Sequence, residues 1–397
     1  MKIGKFKVFK RQIELVLSQR ALKIPVIAVL GPRQSGKTTL VKAVFTKHKY
    51  VSLENYDERE IALQDPRGFL AKCDNGYGMI LDEIQHAPKL LSYIQTLVDE
   101  QPRPGYIVIT GSQNILVNQA ITQSLAGRVT ILTLMPLSIT EFKLNQILPA
   151  SLEELTVKGG YPRIYAHNLD YHNWYLDYVE SYVERDVRQI GEIINLNAFK
   201  RFIRLCAGRT GQLLNIAALA VDCGIDQRTA KHWLSILEAS YIIFLLQPHH
   251  KNFNKRLIKT PKLYFYDTGL ACALLDIETA SQLDTHYLRG GLVKCLIITE
   301  ILKHYYNIGD RPNHVYFWRN QSGNEMNCVL EKHGQLIPIE IKAGQTLGSD
   351  SCKGLDYWNK LTESVEPNGC LIYGGIEDMQ LSKCTIVTWR NIDKIFV

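Results

Sequence analysis

The sequence predicts an α/β fold: a parallel sheet first, then a helical region, then an α+β region. Three observations predict this order. Short β-branched runs alternate with helical stretches in the first part of the chain. Two helical patterns and two β-rich runs follow in residues 211–267. A helix at 292–307 then precedes three strand-like runs in 315–344. We therefore expect three domains, at residues 1–148, 149–285 and 286–397.

The stretch GPRQSGKTTL, residues 31–40, has the spacing of a phosphate-binding loop. Its two glycines allow backbone N–H groups to turn toward phosphate oxygens. Lys37 would reach the β- and γ-phosphates, and the Thr38 hydroxyl would bind Mg²⁺. A β-branched run (24–30) enters the loop and a predicted helix (38–48) leaves it. The residues expected to bind the nucleotide are Gly31, Pro32, Arg33, Gln34, Ser35, Gly36, Lys37, Thr38 and Thr39.

Two acids end the apolar run YGMILDEIQ, residues 77–85. Asp82 fits the carboxylate that holds Mg²⁺ through water, and Glu83 fits the base that polarises the attacking water. The expected cofactors are therefore ATP and Mg²⁺. The next buried run, YIVITGSQN, has a polar end that includes Ser112. In ATPases with an extra central strand, a polar residue there orients the water and senses the γ-phosphate.

Arg128 lies just before another predicted strand. Its position suits an arginine finger supplied by a neighbouring subunit or a moving domain, although a structural arginine is the alternative. The motifs GPRQSGKTT, LDEIQ, TGSQ and LAGRV, in this order, resemble AAA-type P-loop ATPases of bacteria and archaea that carry a C-terminal domain of unknown function. The resemblance covers almost the whole chain and implies ATP binding and hydrolysis. GGYPR (159–163) and YVERDVR (182–188) resemble that family's linker signatures, and we expect a buried ion pair rather than chemistry for Arg185 and Asp186.

Composition narrows the function classes. The net charge is +7, and the basic excess lies in residues 1–150, which fits a phosphate site but also a nucleic-acid or acidic partner. Nine cysteines without any C-x-x-C favour neither a disulfide framework nor a zinc site. No apolar run approaches the roughly 20 residues of a membrane span, and no signal-peptide cleavage pattern precedes the first strand, so we expect a cytoplasmic protein without a membrane partner.

The middle region has the element order of a winged helix-turn-helix. Its second helix would expose Gln227, Arg228, Lys231 and His232, while the basic segment 249–262 would form the wing. Asp226 at the start of that helix would repel phosphate, and such domains also serve as lids or protein contacts. DNA and protein therefore both remain open as partners. The residues expected to contact DNA are Arg228, Lys231, Lys251, Lys255 and Arg256.

The C-terminal run IPIEIKAG places Glu340 and Lys342 on one face of a strand. This resembles the E-x-K of restriction-endonuclease-like domains, in which a helix acid and a middle-strand Asp complete a metal site. Here Asn327 stands at the middle-strand position, Lys294 stands where that family often has Glu, and Glu300 remains as a second helix acid. We expect a relic site that does not cut nucleic acid.

Four functional hypotheses follow. The first is an ATPase, and the acid pair Asp82–Glu83 favours it because a switch without turnover does not need Glu83. The second is a nucleotide-dependent switch or signalling scaffold that acts on protein partners. The third, an ATP-dependent nuclease, is disfavoured by Asn327 and Lys294. A small-metabolite kinase is the fourth, and it lacks an evident site for a second substrate.

Overall fold

The structure is a computed structural model. It describes residues 8–112, 121, 123–182, 193, 195–249, 258–348, 350–363, 369–381 and 384–396.

A five-stranded parallel sheet forms the first part of the chain. Its strands are β1 (Val26–Gly31), β2 (Lys49–Ser52), β3 (Met79–Asp82), β4 (Ile107–Ser112) and β5 (Val129–Thr133). Their order across the sheet is β2-β3-β4-β1-β5. Every residue of β1 is buried, as expected for a central strand covered on both faces. Because the strands are parallel, the carboxyl ends of β1, β3 and β4 meet at one edge.

Helices cover both faces of this sheet. They are α1 (Ile13–Ala21), α2 (Lys37–Val44), α3 (Tyr56–Gln64), α4 (Pro66–Cys73) and α5 (Leu90–Glu100). One apolar cluster joins α1 and α2 to the sheet, and another joins α4 and α5 to it. Helix α2 ends at Val44 rather than at the predicted residue 48, because Phe45 leaves the helical conformation at φ −103° and ψ 60°.

A helical region follows. Its helices are α6 (Ile139–Leu144), α7 (Leu152–Lys158), α8 (Pro162–His167), α9 (Tyr171–Tyr182), α10 (Leu196–Ala207), α11 (Ile216–Cys223) and α12 (Gln227–Ala239). Gly224 ends α11 in the left-handed conformation, and the Asp226 side chain caps α12 by accepting the N–H groups of Arg228 and Thr229. Strands β6 (Ile243–Leu246) and β7 (Lys262–Phe265) then pair antiparallel. The predicted order of two helices and two strands is confirmed.

The C-terminal part is α+β, as predicted. Three helices lead into it, α13 (Thr268–Leu274), α14 (Ala280–Thr285) and α15 (Arg289–Asn307). Its strands are β8 (Val315–Arg319), β9 (Glu325–Lys332), β10 (Gln335–Lys342), β11 (Cys370–Tyr373), β12 (Met379–Gln380) and β13 (Thr385–Thr388), in the spatial order β12-β13-β11-β10-β9-β8. Helix α16 (Lys353–Leu361) packs on β9 and β10, and a 3₁₀ segment (Trp389–Phe396) follows β13.

One apolar core runs through the helical and C-terminal parts. The same cluster contains Leu137 from the segment after β5, Phe142 from α6, Leu263 from β7, and Phe317 from β8. These parts therefore share one continuous apolar core. Among the residues that the structure describes, no helix has both the length and the apolar character needed to cross a membrane.

Candidate active site

The phosphate loop connects β1 to α2 and takes backbone conformations that favour glycine. Gly31 has φ 146° and Gly36 has φ 98°, and a Cβ on Gly31 would collide with the Leu134 carbonyl oxygen. Lys37 begins α2, so the positive end of that helix faces the loop. The Lys37 ammonium is buried and donates to the Gly31 and Pro32 carbonyl oxygens at 3.1 and 2.9 Å. This loop can therefore bind a phosphate through N–H groups and one lysine.

Asp82, at the carboxyl end of β3, is surrounded by hydroxyl donors. Thr38 Oγ1 lies 2.9 Å from Asp82 Oδ2, the Tyr50 hydroxyl lies 2.7 Å from the same oxygen, and Thr110 donates to Asp82 Oδ1. Burial and the neighbouring Asp82 carboxylate raise the pKa of Tyr50, so this hydroxyl stays a donor. Thr38 and Asp82 thus offer adjacent hard oxygen atoms beside the phosphate loop, a donor set that fits Mg²⁺.

The side chain of Glu83 is held in place by a neighbouring amide. Its backbone is left-handed at φ 58° and ψ 51°, and its carboxylate accepts a hydrogen bond from the Gln85 amide. The same amide nitrogen lies 3.2 Å from Ser112 Oγ on β4. A Cβ at Gly111 would stand 2.7 Å from Gln85 Oε1, so glycine there leaves room for this amide. The structure therefore brings Glu83 and Ser112 together, through a glutamine that the sequence reasoning missed although it lies two residues after Glu83.

A cavity of about 530 Å³, the size of a small-ligand site, opens beside the loop. Its lining combines loop residues with the segment before α1 and with helix α8: Phe9, Arg11, Gln34, Lys37, Thr38, Glu83, Pro162, Arg163, Ala166 and His167. Arg163 Nη1 lies 3.4 Å from Gln34 Oε1, and both residues line this cavity. The sequence alone did not indicate a role for Arg163, because GGYPR resembles a linker signature.

The glycines of GGYPR set the position of helix α8. Gly159 has φ 66°, and a Cβ there would collide with the Tyr175 hydroxyl and the Asp267 carboxylate. The buried Asp267 accepts the Gly160 N–H at 2.8 Å and the Tyr175 hydroxyl at 2.6 Å. This close approach anchors the turn that precedes Pro162 and Arg163 at the cavity.

Arg128 lies at the opposite edge of the sheet from the phosphate loop. It immediately precedes β5, whose first residue pairs with the first residue of β1. Arg128 thus lies at the amino ends of these strands, and the phosphate loop lies at the carboxyl end of β1. The length of β1 separates the two by about 16 Å. Its guanidinium pairs with the exposed Asp99, with Nη2 at 2.9 Å from Oδ2. Arg128 therefore does not reach its own phosphate loop, and the finger hypothesis requires another subunit.

The predicted DNA-contact residues are only partly described. Gln227, Arg228, Lys231 and His232 are exposed on α12, as expected. Lys251, Lys255 and Arg256 lie outside the described residues, as do Gln113, Arg185 and Asp186.

The four residues of the predicted relic nuclease site do not form one cluster. The carboxylate of Glu300 is buried on α15 and accepts the Ile139 N–H at 2.6 Å and the Lys303 ammonium at 2.8 Å. Burial raises the pKa of Glu300. Ile341 lies in the same apolar core as α15, whereas Glu340 on the other face of β10 packs against Gly354 of α16. The expectation that Glu300 shares a site with Glu340 is therefore corrected.

The remaining three residues stay close together on β9 and β10. Lys342 Nζ lies 2.9 Å from Glu340 Oε1, and Asn327 Oδ1 accepts the Ile341 N–H at 2.8 Å. Asn327 Nδ2 also donates to Glu325 at 3.3 Å. Within the described part of the chain, no group of three or more His, Cys, Asp or Glu side chains is arranged to hold a metal ion.

Family models match three stretches of the chain. An AAA domain matches residues 23–143, and two domains of unknown function, DUF8612 and DUF4143, match residues 149–281 and 289–392.

Individual relatives were also found. The uncharacterized proteins Rv2008c of Mycobacterium tuberculosis and Mb2031c of Mycobacterium bovis are each 29% identical to this chain over 333 residues, which is 83% of this chain and 73% of theirs. Among solved structures, the Walker-type ATPase PABY2304 of Pyrococcus abyssi matches 68% of this chain and 96% of its own, at 16% identity and a TM-score of 0.44. The AAA match lies over the phosphate loop and the five-stranded parallel sheet, so residues 23–143 form an AAA-type P-loop ATPase domain, and two domains of unknown function follow it.

Proposed function

We propose that this protein binds ATP with Mg²⁺ and hydrolyses it. One observation carries the proposal: Lys37, Thr38, Asp82, Glu83 and Ser112 all lie at the carboxyl edge of the sheet, beside the cavity at the phosphate loop. That edge is where ligands bind in open α/β sheets. An acid placed next to a metal-binding acid supports turnover over a switch that only binds nucleotide.

Each residue has a distinct task in this mechanism. Lys37 and the loop N–H groups neutralise the β- and γ-phosphates. Thr38 and Asp82 would hold Mg²⁺, which supplies positive charge to the phosphate oxygens when it is bound. Glu83 takes a proton from the attacking water, and Gln85 with Ser112 keeps that carboxylate in place. Arg163 is a further positive group that lines the cavity.

Arg128 is proposed to act on the nucleotide of a neighbouring subunit. Its distance from its own phosphate loop supports this arrangement over action within one chain. Hydrolysis then depends on assembly, so the specific ATPase rate should rise with protein concentration. A surface ion pair with Asp99 is the competing role for the same arginine.

Lys37→Ala provides the direct test of nucleotide binding. Without the ammonium group the phosphates lose their point charge, so we expect no measurable binding of ATP or ADP by calorimetry. Lys23→Ala, at an exposed position before β1, is the control and should bind as the parent does. Equal affinity in the parent and Lys37→Ala would contradict the proposed site.

A second candidate function is association with duplex DNA. The order of α11, α12, β6 and β7 supports a winged-helix domain. Helix α12 also exposes four polar side chains, those of Gln227, Arg228, Lys231 and His232. The same face also suits a protein partner, because the Asp226 carboxylate lies at its edge.

The ATPase rate with and without duplex DNA, measured at two salt concentrations, separates the two partners. Stimulation that fades at the higher salt concentration supports phosphate contacts, because such contacts release counterions. Arg228→Ala combined with Lys231→Ala should reduce that stimulation, and Lys23→Ala should not. No stimulation at low salt would favour the protein partner.

A further inference from the structure

Arg11 is a buried arginine that contacts the phosphate loop and also lines the cavity beside it. It lies two residues before α1 and is 6% exposed. Its Nη1 donates to the Ser35 carbonyl oxygen at 2.9 Å, and its Nη2 donates to the Met135 carbonyl oxygen at 2.6 Å. Its Nε pairs with Glu141 at 2.9 Å. The planar guanidinium therefore holds three separate parts of the chain in one fixed arrangement.

The contact with Ser35 fixes the orientation of one peptide group in the loop. In a trans peptide the C=O and the next N–H point in opposite directions. Holding the Ser35 carbonyl toward Arg11 therefore turns the Gly36 N–H away from Arg11. Gly36 immediately precedes α2, and its N–H is one of the amides that a phosphate loop directs at the anion.

Glu141 holds the other side of Arg11. It is fully buried, and besides Arg11 it accepts the N–H groups of Gln12 and Ser138 at 2.9 and 3.0 Å. A buried charge pair tolerates the loss of one partner poorly, because the remaining charge is left uncompensated. The buried carboxylate of Glu141 consequently holds the guanidinium of Arg11 in one position.

Helix α15 of the C-terminal part contacts the segment 137–141, which contains Glu141. Lys303 Nζ donates to the Leu137 carbonyl oxygen at 2.9 Å, and Glu300 accepts the Ile139 N–H. Asn307 Nδ2 donates to Gln12 Oε1, beside Arg11, at 3.0 Å. A series of buried and partly buried polar contacts thus joins the C-terminal helix to the phosphate loop.

We propose that Arg11 is a positioning residue that orients the Ser35–Gly36 peptide for phosphate binding, and that helix α15 holds it in place through the segment 137–141. The inference rests on the proposed nucleotide binding. It goes beyond that proposal by assigning the C-terminal part a role in shaping the phosphate loop.

The test compares Arg11→Ala, Arg11→Lys and Arg20→Ala. Arg20 is an exposed arginine of α1 and serves as the matched control. Loss of a hydrogen bond from a charged group corresponds to about 10- to 100-fold in affinity, so we expect Arg11→Ala to bind ADP and ATP that much more weakly. Arg11→Lys keeps the positive charge but lacks the planar guanidinium. Its nucleotide affinity should therefore lie between those of Arg11→Ala and the parent. Amide exchange of residues 31–38 should quicken in both Arg11 variants and stay unchanged in Arg20→Ala.

The contribution of α15 is tested with Lys303→Met. This change should weaken ADP binding and quicken exchange in residues 31–38, by less than Arg11→Ala does. If Lys303→Met leaves both readouts unchanged, the role of the C-terminal helix is wrong.

The outcomes distinguish a failure of the role of Arg11 from a failure of the proposed nucleotide binding. A folded Arg11→Lys variant with the parent's ADP affinity and the parent's loop exchange would overturn the role of Arg11. Arg11→Lys also keeps the proposal testable if Arg11→Ala does not fold. If the parent itself binds no nucleotide, the proposed function fails, while the exchange data still report whether Arg11 orders the loop.

Discussion

At the scale of single residues, Glu83 combines an unusual backbone conformation with a fixed side chain. A non-glycine residue in the left-handed region is uncommon, and such positions occur at functional sites where the surroundings enforce them. Here the buried strand before Glu83 and the amide of Gln85 supply that enforcement. The residue is thus preorganised beside the cavity, which is what a general base requires.

Glu83→Gln tests that role. The amide keeps the shape of the side chain but does not accept a proton, so ATP affinity should stay near the parent value. The turnover rate should fall by roughly 10²- to 10⁴-fold. Single-turnover hydrolysis and nucleotide titration measure the two quantities separately. Glu100→Gln, at an exposed position of α5, should retain the parent rate, and parent-like turnover in Glu83→Gln would rule out the base.

At the scale of elements, strand β10 carries the E-x-K pattern, and the polar groups around it already have partners within the chain. Lys342 pairs with one carboxylate oxygen of Glu340, Oε1, and the Asn327 carbonyl oxygen accepts a backbone N–H. Asn327 also offers no full negative charge to Mg²⁺, which favours carboxylate oxygens. Glu300 does not replace it, because its carboxylate is buried elsewhere.

We therefore expect no cleavage of plasmid or linear DNA with Mg²⁺ or Mn²⁺ over hours. Gel electrophoresis of both substrates checks this expectation. Cleavage that disappears in Glu340→Ala or Lys342→Ala would show that these strands do form an active site.

A second element-scale prediction concerns the last 3₁₀ segment, which Asp378 ties to the sheet. Asp378 accepts the Thr388 N–H and the Asn391 amide at 2.8 Å each, and pairs with Lys394. Burial opposes its ionisation, but these donors prevail and lower its pKa to about 2. Because this folded value lies below the unfolded one, the stabilisation is present above about pH 4 and is lost as the pH falls toward 2.

Asp378→Asn should accordingly lower the free energy of unfolding at pH 7 by on the order of 2 kcal/mol. The difference from the parent should shrink at pH 3. Urea unfolding followed by tryptophan fluorescence reports on it, since the buried Trp389 follows Thr388 directly. A difference that is independent of pH would mean that the carboxylate charge is not involved.

At the scale of the whole molecule, assembly decides whether Arg128 has a catalytic role. If it acts between subunits, Arg128→Ala should bind ATP normally and hydrolyse it more slowly, since such fingers contribute on the order of 10³ to 10⁵ in rate. Mixing Arg128→Ala with Glu83→Gln should restore part of the activity, because some interfaces then combine an intact arginine with an intact base. No recovery at any ratio would leave Arg128 as the partner of Asp99 on the surface.

The sequence by itself determined the features that are local in the chain. The phosphate loop, the acid pair Asp82–Glu83 and the strand-and-helix order follow from spacing and hydrophobic period, because each depends on neighbours a few residues away. The parallel sheet and the α+β C-terminal part were predicted correctly for that reason.

Tertiary structure alone decided which distant residues meet. Arg11 contacts Glu141, which lies 130 positions away, and Glu300 reaches Ile139, which lies 161 positions away. Neither contact has a signal in local sequence, since an arginine or a glutamate reads the same whether it is solvated or buried. The packing of helix α15 against the end of the parallel sheet selects these partners, because a buried charge must find a hydrogen-bonded counterpart within the folded chain.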